Sequence, residues 1–191
     1  IQALYGCLDQ LIAALQSLAV LPKEMLPGQD PMTFLALADS LTQDKARFAD
    51  CEKRTLVDEE AVSADVQVAV CDTAFASEFL SACASSMAHL AAFCDGLVLV
   101  SHFDAPSQKI ALTDATLHIC RLISNKTSRV TGDLMSVLTT SGSYTVSAAA
   151  KLQETCQPLF DGYDSLKSTL KVLRSILQSM ADKAGGAEQS A

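Results

Sequence analysis

The feature that most constrains the fold is an unbroken helical repeat of apolar and small residues between Glu59 and Ser101. The members of this central repeat are Val62, Val66, Ala69, Thr73, Ala76, Leu80, Cys83, Met87, Leu90, Cys94 and Leu97. The steps between them alternate between four and three residues, which places one side of a helix against other helices. The repeat therefore predicts a central helix over this whole stretch, roughly 65 Å long.

A second apolar stripe adjoins the central repeat and widens its buried face. Its members are Phe75, Phe79, Ala82, Phe93 and Val100. An apolar face of this width contacts more than one neighbour, which favours a bundle over a two-stranded coil. Gly96, followed by four large apolar residues, could instead begin a short strand. The repeat continues through Leu97, so we predict that the helix continues too.

Chain breaks delimit four further helices around the central one. Asp30 and Pro31 are typical of a helix start. The first helix is predicted from Ile1 to Leu21 and the second from Pro31 to Cys51. A connector from Glu52 to Val57 follows, and Asp58 is the predicted cap of the central helix, which is the third. The fourth helix is capped by Asp104 or Ser107 and ends near Ser141, and the last runs from Tyr144 to Lys183. Pro158 lies inside the last helix and removes a backbone hydrogen bond, so we expect a kink or an interruption there.

These elements predict an all-α fold, an elongated antiparallel helical bundle of about five helices with one very long central helix. We expect a single domain over residues 1–183 and a flexible tail over residues 184–191. The apolar repeat of the first helix is already in phase at Ile1. That phase predicts that the first helix continues upstream as a coiled coil in a longer protein.

The excess negative charge of the chain is concentrated around the central helix. The net charge is −8, and the stretch from Thr55 to Gln108 holds eight acidic residues and no Lys or Arg. One interpretation is a solvated acidic face, and the other is a docking surface for a basic protein partner. The candidate residues for that surface are Asp65, Asp72 and Glu78. Nucleic-acid binding is not expected, because it requires a clustered basic stripe.

The seven cysteines are not spaced as metal ligands. No Cys-x-x-Cys occurs, and Cys83 and Cys94 belong to the central repeat. This usage is typical of buried thiols in a reducing compartment, so we predict a cytoplasmic protein. A zinc site would need clustered Cys and His residues.

No motif for catalysis or cofactor binding stands out in the sequence. The three histidines, His89, His102 and His118, lack the partner four residues away that a helical metal site shows. Neither a Gly-x-Ser-x-Gly elbow nor a Gly-rich phosphate loop is present. We therefore predict a protein that is not an enzyme, with no catalytic, cofactor-binding or metal-binding residues.

A transmembrane segment is not expected either. Between Phe79 and Phe103 the only charged side chain is Asp95. Serines interrupt the segment, and its uncharged part is shorter than the ~20 residues that a spanning helix needs. The pattern favours a helix buried on most sides within a protein.

Long helices rich in Ala, Ser and Thr with small core residues resemble the bundles of cytoskeletal adaptors such as vinculin and talin, and the helical domains of coiled-coil motor adaptors. The stretch from Leu11 to Ala14 is similar to a fragment of talin's vinculin-binding helices. The resemblance lies in the length and composition of the helices, and it transfers no site residues. It implies an interaction module of an intracellular scaffold or adaptor linked to the cytoskeleton, to motors or to membrane traffic, with an amphipathic helix as a further possible partner.

The small residues of the predicted core suggest a groove between helices, which is the candidate docking site. Its candidate residues are Thr73, Ala76, Ser124, Thr127 and Thr131. Two alternatives stay open. One is an apolar ligand or lipid held between Ala76 and Leu90, and the other is a structural spacer that forms a homodimer through flanking coiled coils.

Overall fold

The computed structural model describes residues 1–22, 26, 30–61, 73–103, 112–142 and 148–188 of the 191-residue chain. These residues form five α-helices and no strand. The helices are α1 (Gln2–Ala19), α2 (Pro31–Ala61), α3 (Thr73–Phe103), α4 (Asp114–Ser141) and α5 (Ala148–Glu188). The predicted all-α fold is thus confirmed.

Consecutive helices run antiparallel and pack side by side. Tyr5, near the start of α1, donates a hydrogen bond to Glu52 Oε2 late in α2 (2.9 Å). Ser124, early in α4, donates to Asp95 Oδ1 late in α3 (2.7 Å). In addition, α5 returns to α1, and α3 packs against α5 as well as against α2 and α4. The helix α3 therefore has three neighbours, as the width of its apolar face predicts.

The central repeat is buried wherever its side chains are described. From Ala76 to Leu97, every member of the repeat is at most 2% exposed. The phenylalanine stripe faces α2, where Phe93 meets Phe34 edge-to-face and Phe79 meets Phe48, each with ring centroids 5.4 Å apart. Residues 62–72, which contain the first three members of the repeat, lie outside the described residues.

The boundary between the second and central helices differs from the prediction. The connector from Glu52 to Val57 and the cap at Asp58 are wrong, because α2 is helical through Ala61. Glu59 therefore belongs to α2, and the described part of the central helix begins at Thr73. After Pro31 the α2 segment contains no Gly or Pro. The β-branched residues Thr55 and Val57 lower helix propensity only by a few tenths of a kcal/mol each, roughly, which does not end a helix.

Two other helix predictions differ from the structure, and a third, at Gly96, is confirmed. The cap of α4 is Thr113, whose hydroxyl accepts from the backbone N–H of Thr116. The predicted caps Asp104 and Ser107 lie outside the described residues. The helix α5 runs without interruption through Pro158 and on to Glu188, so residues 184–188 of the predicted tail are helical. At Gly96 the helix continues and the strand alternative is not realised.

Among the described residues, one helix is long and apolar enough to cross a membrane. It comprises 29 residues, Ala74–His102, with a mean hydropathy of 1.6. The central helix of a bundle meets the same criteria of length and composition. Of its most apolar window, 44% is buried inside the bundle.

Helix α5 approaches α3 closely at Gly162. A Cβ atom there would overlap the Cδ2 atom of Leu80, which is itself fully buried. At Gly132 on the exposed side of α4, a Cβ atom would meet nothing within 4 Å. Gly162 and Gly132 therefore have different roles in the structure. Only Gly162 permits a close contact between two helices.

We expect Gly162→Val to lower the free energy of unfolding by about 1–3 kcal/mol, because the added methyl groups overpack the α3–α5 contact. Gly132→Ala should raise it by about 0.5–1 kcal/mol, because alanine restricts the unfolded chain and nothing obstructs its methyl group. Urea unfolding followed by far-UV circular dichroism measures both changes. Shifts of the same sign in the two variants would contradict the close approach at Gly162.

Candidate functional site

A buried carboxylate joins α2 to α3. Asp44 on α2 is only 1% exposed. Its Oδ1 accepts a hydrogen bond from Ser85 Oγ (3.1 Å), and its Oδ2 accepts one from Ser86 Oγ (3.0 Å). The Nδ1 atom of His89 lies 3.0 Å from the same Oδ2. A buried carboxylate needs such partners, since an unpaired charge in the interior is strongly destabilising.

This Asp44 network resembles part of a catalytic triad but lacks one requirement of it. A carboxylate at His Nδ1 orients the imidazole, and a nucleophilic hydroxyl must then lie at Nε2. Here the hydroxyls of Ser85 and Ser86 both donate to Asp44 instead. The network therefore positions helices and side chains, and it does not activate either serine.

Arg47 extends the network to the surface. Its Nη1 atom lies 3.7 Å from Asp44 Oδ1, and its side chain is 52% exposed. From there Arg47 lines a cleft of about 450 Å³ between α2, α3 and α4. The other lining residues are Asp50 and Cys51 of α2, Ser77, Glu78 and Ser81 of α3, and Leu134 and Leu138 of α4. This volume lies within the range of about 300–1,000 Å³ that is usual for small-molecule sites.

The cleft combines both signs of charge with an apolar wall. Arg47 offers guanidinium donors, while Asp50 and Glu78 offer carboxylate acceptors. Leu134 and Leu138 supply the apolar side. Such a lining suits a small molecule that carries both an anionic and a cationic group.

The predicted acidic face can be located at one of its three residues. Glu78 is exposed on α3 and lines the cleft together with Arg47. Asp65 and Asp72 lie outside the described residues. At Glu78, therefore, the surface is one of mixed charge.

The candidate groove residues on α4 take part in helix packing. Thr127 donates to the backbone carbonyl of Met87 on α3 (3.2 Å), and Ser124 donates to Asp95. Thr131 donates to a carbonyl of its own helix. The small polar residues thus mark the place where the backbones of α3 and α4 come close, and Ala76 is buried at 2% exposure.

Sequence reasoning did not find the Asp44 network. No sequence motif marks Asp44 or Arg47, and His89 lacks the partner four residues away that a helical metal site shows. One sequence signal did indicate that Asp44 is buried. It lies within the repeat in steps of three and four that marks the buried face of α2, whose members are Phe34, Leu37, Leu41, Asp44 and Phe48. A carboxylate in such a repeat indicates a buried polar partner on the facing helix.

Five of the described cysteines are buried, and Cys156 is half-buried. Burial, and then the neighbouring Cys51 and Asp44, raises the pKa of the Cys83 thiol above its ordinary value. A hydrogen bond with Cys120, and then burial, does the same for the pKa of Cys94. Raised pKa values keep these thiols protonated and unreactive. No group of three or more potential metal ligands occurs within the described part of the chain.

A second carboxylate of interest lies between α4 and α5. The Oδ2 atom of Asp133 is buried without a hydrogen-bond partner among the described residues. Burial, and then the neighbouring Asp161, raises the pKa of Asp133, while Arg129 acts in the opposite direction. Arg129 itself pairs with Asp161 (3.6 Å).

Comparison with known proteins changes the functional interpretation. No protein-family model matches the chain. The argininosuccinate lyase of Pelotomaculum thermopropionicum is 31% identical over 230 residues, which covers 96% of this chain and 50% of that enzyme. The argininosuccinate lyases of Thermoanaerobacter sp. (strain X514) and Geobacter sulfurreducens are each 27% identical, over 96% and 82% of this chain and 52% and 42% of the enzymes.

The chain spans about half the length of the curated relatives that it matches. It is also shorter than the region of the relatives against which it aligns. The alignment with the Pelotomaculum enzyme covers 230 positions, and this chain has 191 residues, so at least 39 of those positions have no counterpart here.

These relatives are enzymes, and they overturn the predicted function. The predictions of a non-enzymatic adaptor or scaffold linked to the cytoskeleton, and of a basic protein or an amphipathic helix as its partner, are wrong. The alternatives of an apolar-ligand domain and a structural spacer fall with them. The physical reason is that helical bundles with small core residues serve many functions. The packing of the core therefore does not specify the function of the protein.

We expect Asp44→Ala to lower the free energy of unfolding by about 3 kcal/mol, because it leaves the partners on α3 without their buried acceptor. Asp39→Ala is the matched control, since Asp39 is exposed on the same helix. Its effect should stay within about 0.5 kcal/mol. Equal losses of stability in the two variants, measured by urea unfolding, would show that the Asp44 network contributes nothing.

The raised pKa of Asp133 predicts a dependence of stability on pH. Because the folded state favours the protonated carboxyl, the free energy of unfolding falls as pH rises from the ordinary Asp pKa through the raised one. Asp133→Asn should therefore raise the thermal midpoint at pH 7 by on the order of 2 °C. The gain should shrink below about pH 4, where the wild-type carboxyl is protonated. The exposed Asp164 provides a control, and an Asp164→Asn gain of the same size and pH dependence would refute this cause.

Proposed function

We propose that this chain forms the helical part of a lyase that cleaves argininosuccinate and works in the cytoplasm. The observation that carries the proposal is the match over 96% of the chain to argininosuccinate lyases of different bacteria, at 27% and 31% identity. A match of this extent includes α1 to α5 in one alignment rather than a single helix. The proposal therefore concerns the bundle as a whole.

The charges of the cleft between α2, α3 and α4 support this proposal. Argininosuccinate carries several carboxylates and a guanidinium group, so its binding requires both donors and acceptors. Arg47 provides donors, and Asp50 and Glu78 provide acceptors, within a single cleft. A lyase breaks a bond by elimination, in which one group takes a proton and another protonates the leaving group.

The test is to incubate the purified chain with argininosuccinate and to follow the substrate by mass spectrometry. We expect a loss of argininosuccinate that is proportional to time and to protein concentration. Asp39→Ala should retain this activity, whereas Asp44→Ala should lose it in parallel with its stability. The proposal fails if the folded chain, verified by a cooperative unfolding transition, neither consumes argininosuccinate nor binds it saturably.

A further inference from the structure

Two buried thiols come together where α3 and α4 pack against each other. Cys94 of α3 and Cys120 of α4 are both 0% exposed. We propose that they form a redox-sensitive cross-link, in which hydrogen peroxide converts the two thiols into a disulfide that joins α4 to α3. Disulfides in reducing compartments are usually transient and redox-sensing, and a pair of free thiols is their resting form. The cross-link is independent of the proposed function.

The register of α3 and α4 places Cys94 opposite Cys120. Thr127 Oγ1 donates to the backbone carbonyl of Met87 at 3.2 Å, so this threonine lies directly against the backbone of α3. Cys120 lies seven residues before Thr127, and Cys94 lies seven residues after Met87. Seven residues are close to two helical turns, so in an antiparallel pair the two steps lead to facing positions. The thiols are in contact there, since Cys94 donates a hydrogen bond to Cys120.

Small residues of α4 bring the two backbones close on both sides of the thiol pair. Beyond Thr127, Ser124 donates to Asp95, the residue that follows Cys94, at 2.7 Å. Helices with small side chains at their contact approach to interaxial distances of about 8 Å. Each helix has a Cα radius of about 2.3 Å, so facing Cα atoms can reach the separations of about 4.4–6.8 Å that disulfides span. A disulfide between Cys94 and Cys120 is therefore compatible with the native packing of α3 and α4.

The two thiols differ in which one attacks the oxidant. The hydrogen bond from Cys94 is the largest influence on the pKa of Cys120 and lowers it, while burial and the neighbouring Asp95 act in the opposite direction. The same hydrogen bond, and then burial, raises the pKa of Cys94. Because the thiolate is the nucleophile, Cys120 attacks first and Cys94 resolves the product. Both thiols are buried, so the reaction takes place through local opening of the bundle.

One molecule of hydrogen peroxide oxidises one thiol pair. The Cys120 thiolate attacks a peroxide oxygen, the O–O bond breaks, and hydroxide leaves, so that Cys120 becomes a sulfenic acid. The sulfur of Cys94 then attacks the sulfur of Cys120, and the hydroxyl group leaves as water with the thiol proton. The two thiols have then lost two electrons and two protons, and hydrogen peroxide has been reduced to two molecules of water.

The disulfide should stabilise the folded chain. It closes a loop between Cys94 and Cys120, which removes conformational freedom from the unfolded state. We expect oxidation to raise the thermal midpoint by roughly 5–15 °C, and dithiothreitol to reverse the rise.

The test is to treat the full chain with hydrogen peroxide, alkylate the remaining thiols and digest the protein with trypsin without reduction. Trypsin releases Cys120 in the segment 110–121, which contains no other cysteine, and Cys94 in the segment 55–109. We expect mass spectrometry to detect these two segments joined by a disulfide. After dithiothreitol they should appear separately.

Variants identify the cysteine of segment 55–109 that takes part. Cys94→Ala should abolish both the joined segments and the rise in thermal midpoint, and should leave a Cys120 sulfenic acid that dimedone traps. Cys83→Ala is the matched control, because Cys83 lies on the same helix and is also 0% exposed. It should retain the joined segments and the rise. Thermal midpoints before oxidation check that the variants fold, and the digest of the wild-type chain tests the pair without any variant.

Four results would overturn the proposal. The segment 110–121 stays unlinked in the oxidised wild-type chain, or the link is lost in Cys83→Ala and kept in Cys94→Ala. Alternatively, the disulfide joins two chains and not one, as a non-reducing gel would show. The last is a link within one chain without a rise in thermal midpoint, which would mean that the disulfide does not fit the native packing of α3 and α4.

Discussion

The structure depends on the burial of one helix by three others. Helix α3 packs against α2, α4 and α5, and its central repeat is excluded from water from Ala76 to Leu97. At about 25 cal/mol per Å² of apolar surface, this burial is the main favourable term that any helix here can contribute. The other helices are arranged by the need to cover α3, and α1 completes the bundle by packing between α2 and α5.

Burial alone does not determine how the helices align along their axes, and polar groups do that here. Asp44 meets its three partners on α3 only in the segment from Ser85 to His89, which is little more than one helical turn. A shift of α2 by one turn would leave a carboxylate buried without partners, at a cost of several kcal/mol, roughly. The close approach at Gly162 restricts α5 against α3 in a similar way. Through Arg47, which lies 3.7 Å from Asp44, the network also reaches the edge of the cleft.

The contrast between the adaptor prediction and the lyase relatives follows from what a repeat pattern contains. A repeat in steps of three and four reports which side of a helix is buried, and it carries no information on chemistry at the surface. The residues that line the cleft come from three helices and are far apart in sequence, from Arg47 and Glu78 to Leu134. They form no local motif, so a search for motifs does not find them. The matches to argininosuccinate lyases overturn the adaptor prediction, which the repeat pattern alone could not do.

The sequence by itself determined the all-α class, the burial of the central repeat, the contact of its phenylalanine stripe with a second neighbour and the continuation of α3 past Gly96. These features depend on apolar spacing within one helix, which is local information. Helix ends were predicted less well, because the segment from Glu52 to Ala61 has polar and β-branched residues that suit a connector and a helix almost equally. Only the tertiary structure decided that Asp44 is buried, that Arg47 and Glu78 line the same cleft, and that Gly162 lies against Leu80. Each of these depends on which residue of a distant helix comes opposite, and that is settled by the packing of the whole bundle.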